Sequence, residues 1–242
     1  MERIDEAWKT DKLVNTFLEG IRGGVPFATE QIDAMMRLVA AMGGPPGRFM
    51  DLGCGDGILS RAILSEYPEA KGVLVDFSEP MLKKAGDGMK AFEGNVEIVK
   101  ADFATEAWLG PVEGDKPFDL IVSGYAIHHQ RGERKRALYK EVYGLLAPCG
   151  MFVNMDHVSS PAPWIREISD RLFIDALYAY NLGKGTPQSY EEVKESFTQR
   201  VDKEANVLSS VEEQCAWLKE AGFNDVDCHF KVFELALFGG RR

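Results

Sequence analysis

The sequence predicts an α/β fold of the Rossmann-like, doubly wound kind, and three observations carry that prediction. Short apolar runs alternate with stretches of helical spacing between residues 48 and 158, which calls for a parallel sheet with helices on both faces. One of these runs, Phe49-Met50-Asp51-Leu52, passes into Gly53-Cys54-Gly55-Asp56-Gly57 and then into residues 58–64, whose apolar spacing is helical. A buried strand turning sharply into a helix needs such glycines, which adopt positive φ and let a ligand approach bare backbone. Finally, the next two strands end in acids, Asp76 and Asp102, at the edge where open α/β sheets bind ligands.

Residues 1–47 read as an N-terminal helical cap. Trp8, Leu13, Phe17, Leu18 and Ile21 recur at helical spacing until Arg22-Gly23-Gly24-Val25-Pro26 breaks the pattern. Thr29 is expected to cap a second helix through Ile32, Met35, Met36, Leu38 and Val39, which ends at Gly43-Gly44-Pro45-Pro46. The aromatic residues of this cap would close over a ligand or pack on the sheet. Residues 48–158 form the core. After the glycine turn come a strand over 72–77, a helix capped by Ser78 with Met81 and Leu82 inward, and a strand over 96–103. A fourth strand follows over 118–125. A helix then runs through Ala137, Leu138, Val142, Leu145 and Leu146 to the stop Pro148-Cys149-Gly150, and a fifth strand covers 151–156.

Residues 159–207 interrupt this rhythm and are too long for a simple connection, so they read as a helical lid inserted over the strand ends. Residues 208–242 return to the core. Ser209 or Ser210, with Glu213 as box partner, caps a helix stopped by Ala221-Gly222, and two closing strands follow over 223–232 and 233–238.

Composition narrows the function. Hydrophobic residues make up 45% and charged residues 27%, as in soluble globular proteins. No apolar run is long enough for a membrane span, and the charged start Met1-Glu2-Arg3-Ile4-Asp5-Glu6 lacks a secretory apolar core. A net charge of −10 offers no global field for nucleic acid, so a small-molecule substrate is expected and no nucleic-acid partner. The basic run Arg131-Gly132-Glu133-Arg134-Lys135-Arg136 is expected to form a solvated helix face. Four widely spaced cysteines, Cys54, Cys149, Cys215 and Cys228, argue against a zinc site or disulfide framework and fit a cytoplasmic protein. The apolar N-terminal helices are compatible with a homodimer.

The acid two residues before the first glycine sets this turn apart from a dinucleotide fingerprint, because a pyrophosphate would be repelled by it. Asp51 instead suits a ligand that brings an ammonium group. The pattern D-x-G-x-G-x-G over residues 51–57 resembles the first motif of class I S-adenosylmethionine (SAM)-dependent methyltransferases. The Val75-Asp76 strand end, Ala101-Asp102-Phe103 and Phe118-Asp119-Leu120-Ile121-Val122 follow that family's motif order, and Leu145-Leu146-Ala147-Pro148-Cys149-Gly150 is similar to its L-x-P-G-G segment. The resemblance covers residues 48–158, with the closing strands consistent, and implies a seven-stranded sheet with an antiparallel last strand. It further implies SAM as cofactor and S-adenosylhomocysteine as product. Asp51, Gly53, Cys54, Gly55, Asp76, Phe77, Met81, Asp102, Phe103 and Ser123 are the expected cofactor-binding residues. Asp76 lies 19 residues after Gly57, near the spacing of about 20 expected of an acid that accepts from ribose hydroxyls. Asp102 would accept from the adenine amino group, Phe103 would offer a ring face, and Phe77 and Met81 an apolar wall.

Methyl transfer from a sulfonium is an in-line displacement, so the enzyme aligns the reactants, excludes water and removes a proton where the nucleophile needs it. No metal is required. Candidates for the base are His128 and His129 after the fourth strand and His157 after the fifth; the alternative is that one histidine lines the cofactor pocket and the other packs inward. In the lid, Tyr178 and Arg200 are the expected substrate-binding residues, Arg200 as a clamp for a carboxylate. Residues 200–238 with the strand core are also similar, across gaps, to carboxy-S-adenosylmethionine synthase, which makes carboxy-SAM from SAM and prephenate, and Arg200 falls near the arginine that holds the added carboxylate in that family. The expectation is therefore a small-molecule methyltransferase, with a SAM-modifying enzyme or a non-catalytic SAM-binding partner as alternatives.

Overall fold

The computed structural model describes residues 4–242; Met1 to Arg3, part of the charged N-terminal stretch noted above, lie outside it. A 3-10 turn, Ile4–Lys9, leads into α1 (Asp11–Glu19), a second 3-10 turn (Ile21–Gly24) and α2 (Ala28–Ala40). The core then alternates β1 (Arg48–Leu52), α3 (Ile58–Glu66), β2 (Lys71–Asp76), α4 (Glu79–Gly88), β3 (Val96–Lys100), the short α5 (Leu109–Val112), β4 (Phe118–Gly124), α6 (Gly132–Leu145) and β5 (Leu146–His157). The insertion carries α7 (Pro163–Gly183), α8 (Tyr190–Thr198) and a 3-10 turn at Val201–Ala205, before α9 (Val211–Ala221), β6 (Asn224–Val232) and β7 (Leu235–Arg241).

The seven strands form one sheet in the order β3-β2-β1-β4-β5-β7-β6. β1 to β5 pair in parallel, and β7 enters antiparallel between β5 and β6. The chain reverses direction outward from β1 on either side, so the crevice beyond the carboxyl ends of β1 and β4 is the switch point where such sheets take ligands. Two apolar layers fill the faces. Met50, Leu52, Val75, Ile121, Phe152 and Phe238 pack against Leu138, Tyr139 and Val142 of α6 and Leu218 of α9. Phe49, Leu74, Leu120, Val122 and Val153 pack against α2, α3 and α4 through Met35, Val39, Ile63, Leu64 and Ala85. A smaller cluster of Ile174, Leu177, Val193 and Phe197 joins the two helices of the insertion. Among the described residues no helix is long and apolar enough to cross a membrane.

Two of the expected caps form: Ser78 accepts from Met81 N, and Ser210 with Glu213 makes a reciprocal capping box. The expected Thr29 cap does not. α2 starts at Ala28 behind Phe27 in the left-handed region (φ 56°), with no side-chain cap. The stop at Pro148-Cys149-Gly150 is also placed differently, because α6 ends at Leu145 and β5 already begins at Leu146. The basic run is not a solvated face. Lys135 is fully buried, Arg134 forks onto Glu141 at 2.6 Å while its Nε donates to Phe103 O, and only Arg131 of the run's four cations is left to solvent without a partner among the described residues, Arg136 reaching Glu220. A charge run in sequence cannot reveal that α9 and the 207–209 segment will pack across one side of the helix.

Candidate functional site

The glycine turn builds the floor of the site. Gly53 and Cys54 both donate to Val75 O, which folds the turn over the end of β2, and Gly53 adopts φ 73°. A Cβ on Gly53 would sit 2.2 Å from the Ala126 Cβ, so the close approach of the loop after β4 requires glycine. Asp76 turns back under this floor: one carboxylate oxygen accepts from Ser78 N at 2.8 Å and the other from Gly55 N at 2.9 Å. Asp51, 1% exposed, accepts from the Ser60 amide and hydroxyl through Oδ2, while its Oδ1 is buried with no partner among the described residues. Burial, only partly offset by the bonds from Ser60, pushes the Asp51 carboxyl up to about 7, and burial raises Asp76 too.

A cavity of about 230 Å³ opens above this floor and is lined by Asp51, Gly53, Cys54, Gly55, Asp76, Phe77, Met81, Asp102 and Phe103. Ser123 does not line it. Its Oγ donates to Leu52 O at 2.7 Å within the sheet, so this expected cofactor residue ties β4 to β1 instead. The remaining residues fit an aminoacyl nucleoside. The orphaned acceptor of Asp51 asks for a donor such as an ammonium, the Asp76 carboxylate on the cavity wall suits a ribose hydroxyl, and Phe77, Met81 and Phe103 supply apolar walls.

The other half of the cavity gathers the three histidines. His128 Nδ1 lies 2.6 Å from Asp156 Oδ1, and both groups are buried. The same carboxylate accepts from His157 N at 3.0 Å and Asn154 Nδ2 at 3.3 Å. Since a carboxylate only accepts, His128 carries its proton on Nδ1, and Nε2 is the nitrogen left for chemistry. The His129 ring sits 4.1 Å from that of His128 and its Nδ1 faces Ala205 O at 3.3 Å; burial, with His128 adding to it, pushes its protonation well below the ordinary range. His157 is also pushed down by burial, against the opposing pull of Glu234, whose carboxylate lies 3.4 Å from Nε2. All three rings line the cavity, but His157 is engaged with Glu234, whereas among the described residues His128 has its bonded partner only at Nδ1.

Of the two lid residues expected to meet substrate, Arg200 lines the cavity and Tyr178 does not; Tyr178 packs edge-on to Tyr190 at 5.5 Å in the lid's own cluster. Phe197 lies beneath two cations, with the Arg200 guanidinium 5.7 Å and the Lys203 ammonium 4.0 Å from its ring centre, and Lys203 also reaches Asp170 at 3.1 Å. Phe173 stacks on Phe197 and continues the wall toward His157. Trp8 and Phe17 of the cap close the cavity as well, with Trp8 fastened by its carbonyl to Ser78 Oγ at 2.5 Å and its Nε1 buried without a partner among the described residues. The sequence offered Trp8 and Phe17 either as closing over a ligand or as packing on the sheet, and Phe173 and Lys203 gave no signal toward the site. Nothing in one dimension separates a ring that packs on the sheet from one that faces a ligand.

Residues 49–150 match the family model described as a methyltransferase domain. In that domain match the chain is similar to class I SAM-dependent methyltransferases, and it has their fold. Over 231 residues, 94% of this chain and 90% of the relative, it is 25% identical to the carboxy-S-adenosyl-L-methionine synthase of a Nitratiruptor species. The fold is shared with an O-methyltransferase family protein from Burkholderia thailandensis (TM-score 0.60, 15% identity, 87% of this chain). It is shared too with human N-acetylserotonin methyltransferase in complex with SAM (TM-score 0.53, 16% identity, 99% of this chain). This methyltransferase-fold chain spans 58% and 65% of the length of those two structures.

Proposed function

We propose that the protein transfers a methyl group from SAM to a small, partly apolar acceptor whose nucleophile is deprotonated by His128. The observation that carries this reading is the buried His128–Asp156 pair on the wall of the cavity that Asp51 and Asp76 line from below. SAM supplies an electrophilic methyl on a sulfonium. The protein's own contribution is positional: Asp76 takes the ribose hydroxyls, Asp51 the ammonium, Asp102 and Phe103 the adenine, and Trp8 with Phe17 excludes water. Asp156 fixes the His128 tautomer so that Nε2 can accept a proton from a hydroxyl, thiol or amine. Phe173 and Phe197 suit an apolar body on the acceptor, and Arg200 suits an acidic group. The acidic chain and the four free cysteines favour a small-molecule substrate in the cytoplasm over a nucleic acid.

Production of S-adenosylhomocysteine is to be measured over a panel of phenols, thiols and amines with and without a carboxylate. A turned-over acceptor whose rate falls about 10²- to 10⁴-fold in His128→Gln, with S-adenosylhomocysteine affinity retained, is the expected result. A His128→Gln variant as active as the parent would remove the base.

A second reading, a SAM-modifying enzyme of the carboxy-SAM synthase kind, is favoured by Arg200 on the cavity wall and by the near full-length similarity to such a synthase. Mass spectrometry of the ligand that survives purification separates the two. SAM or S-adenosylhomocysteine supports methyl transfer, and a SAM species heavier by one carboxylate supports the second reading. Ligand bound without any turnover would leave a SAM-binding partner protein.

A further inference from the structure

Lys135 is fully buried on α6, an unusual place for an ammonium, which leaves water only where its bonds and neighbouring charges compensate. Its Nζ donates to Val207 O at 2.5 Å and to Ser209 Oγ at 3.2 Å. That short segment is what holds the histidines from behind: Val207 N donates to His128 O at 3.0 Å, and Ala205 O faces His129 Nδ1. The segment is in turn tied to the lid's root, since Ser159 N donates to Ser209 O.

We propose that Lys135 is a positioning residue for the candidate base: it anchors the 207–209 segment that holds the His128–His129 turn from behind, and it is the buried cation behind that turn. The charges around the pair come from several elements. Asp156 and His157 lie on β5, with Glu234 beside His157; Arg200 and Lys203 come from the lid; Glu213 on α9 and Asp156 both favour the charged form of Lys135 against its burial. Against the carboxylates, Lys135 is the buried cation on the α6 side, and its charge adds to the burial that keeps His129 unprotonated. Replacing Lys135 with an uncharged residue should therefore make proton uptake by His129 easier, moving it to higher pH.

This inference rests on reading His128 as the base, but its test needs no acceptor. The chain has four histidines, so ring-labelled protein saturated with S-adenosylhomocysteine gives four signals that His→Gln variants assign. In Lys135→Gln, which keeps a hydrogen-bond donor and loses the charge, the pH at which the His129 ring takes up its second proton is expected to rise by about one unit, while His229 stays fixed. Lys135→Arg keeps the charge and should leave all four signals near their parental positions. A His129 midpoint that does not move in Lys135→Gln overturns the proposal, and so does an equal shift in Lys135→Arg, which would mean repacking rather than charge. If Lys135→Gln does not fold, the side-chain nitrogen of Lys135 in the unaltered protein decides: a protonated ammonium at pH 7 supports the proposal, and a neutral amine overturns it. Shifted midpoints in a protein that never transfers a methyl would uphold the role of Lys135 while defeating the base reading, so the two failures are distinguishable.

Discussion

At Asp51 a carboxylate that lines the cavity beside the glycine turn is also almost wholly removed from water. Its folded-state protonation is raised to about 7, above the unfolded value of 3.8, so in the ligand-free protein it stabilises the fold at low pH and that contribution is lost as pH rises through about 7. An ammonium delivered by the ligand binds the ionised form. Affinity for S-adenosylhomocysteine is therefore expected to increase as pH rises toward about 7 and to level off above it; Asp51→Asn should weaken binding and flatten the profile, both readable by calorimetry. Asp76 has a different burden, holding Ser78 N and Gly55 N while lining the cavity. Asp76→Ala should lower affinity about 150-fold or more, for two charge-assisted bonds at roughly 1.5–3 kcal/mol each, in a protein that still folds. Binding as tight as in the parent would reassign the ribose acid. The place of both acids at strand ends on the cavity was legible in the sequence, because a strand end followed by a glycine turn or a helix cap leaves a carboxylate few other places to go. Ser123 was misread for the opposite reason: it occupies the same sort of strand end, but a neighbouring strand offers Leu52 O.

The glycine turn is the most constrained element. Gly53→Ala meets both a positive φ and a carbon 2.2 Å away across the loop after β4. Overpacking and left-handed strain together should cost about 2–5 kcal/mol, lowering the melting temperature by roughly 5–15 °C, with ligand binding lost along with the turn. A variant that melts like the parent would show that the two loops do not need to lie so close. Legibility at this scale followed locality. The α9 capping box and the αL stop at Gly222 (φ 110°) depend on residues a few positions apart and were read correctly. The α6 basic run depends on α9 and on residues 207–209, far away in sequence, and was not.

For the molecule as a whole, the site is closed by two segments that lie outside the alternating core, the N-terminal cap and the 159–207 insertion. Ser78 Oγ on the Trp8 carbonyl and Lys9 over the Phe77 ring at 5.8 Å fasten the cap to the cofactor side. Trp8→Ala keeps that carbonyl but removes the ring that shields the cavity, and should weaken S-adenosylhomocysteine binding about tenfold with little change in ligand-free melting temperature, a comparison for calorimetry and thermal unfolding together. A large loss of ligand-free stability with unchanged affinity would make Trp8 a packing residue alone.

The sequence by itself determined the sheet, its glycine turn and the acids at its strand ends, because these follow from periodicity, backbone freedom and residues that act on near neighbours. Tertiary structure alone decided that His128 pairs with Asp156, that Phe173 and Phe197 face the cavity while Tyr178 does not, and that Lys135 is buried behind the histidines. Each of those outcomes depends on which distant segment arrives to remove a side chain from water and give it a partner.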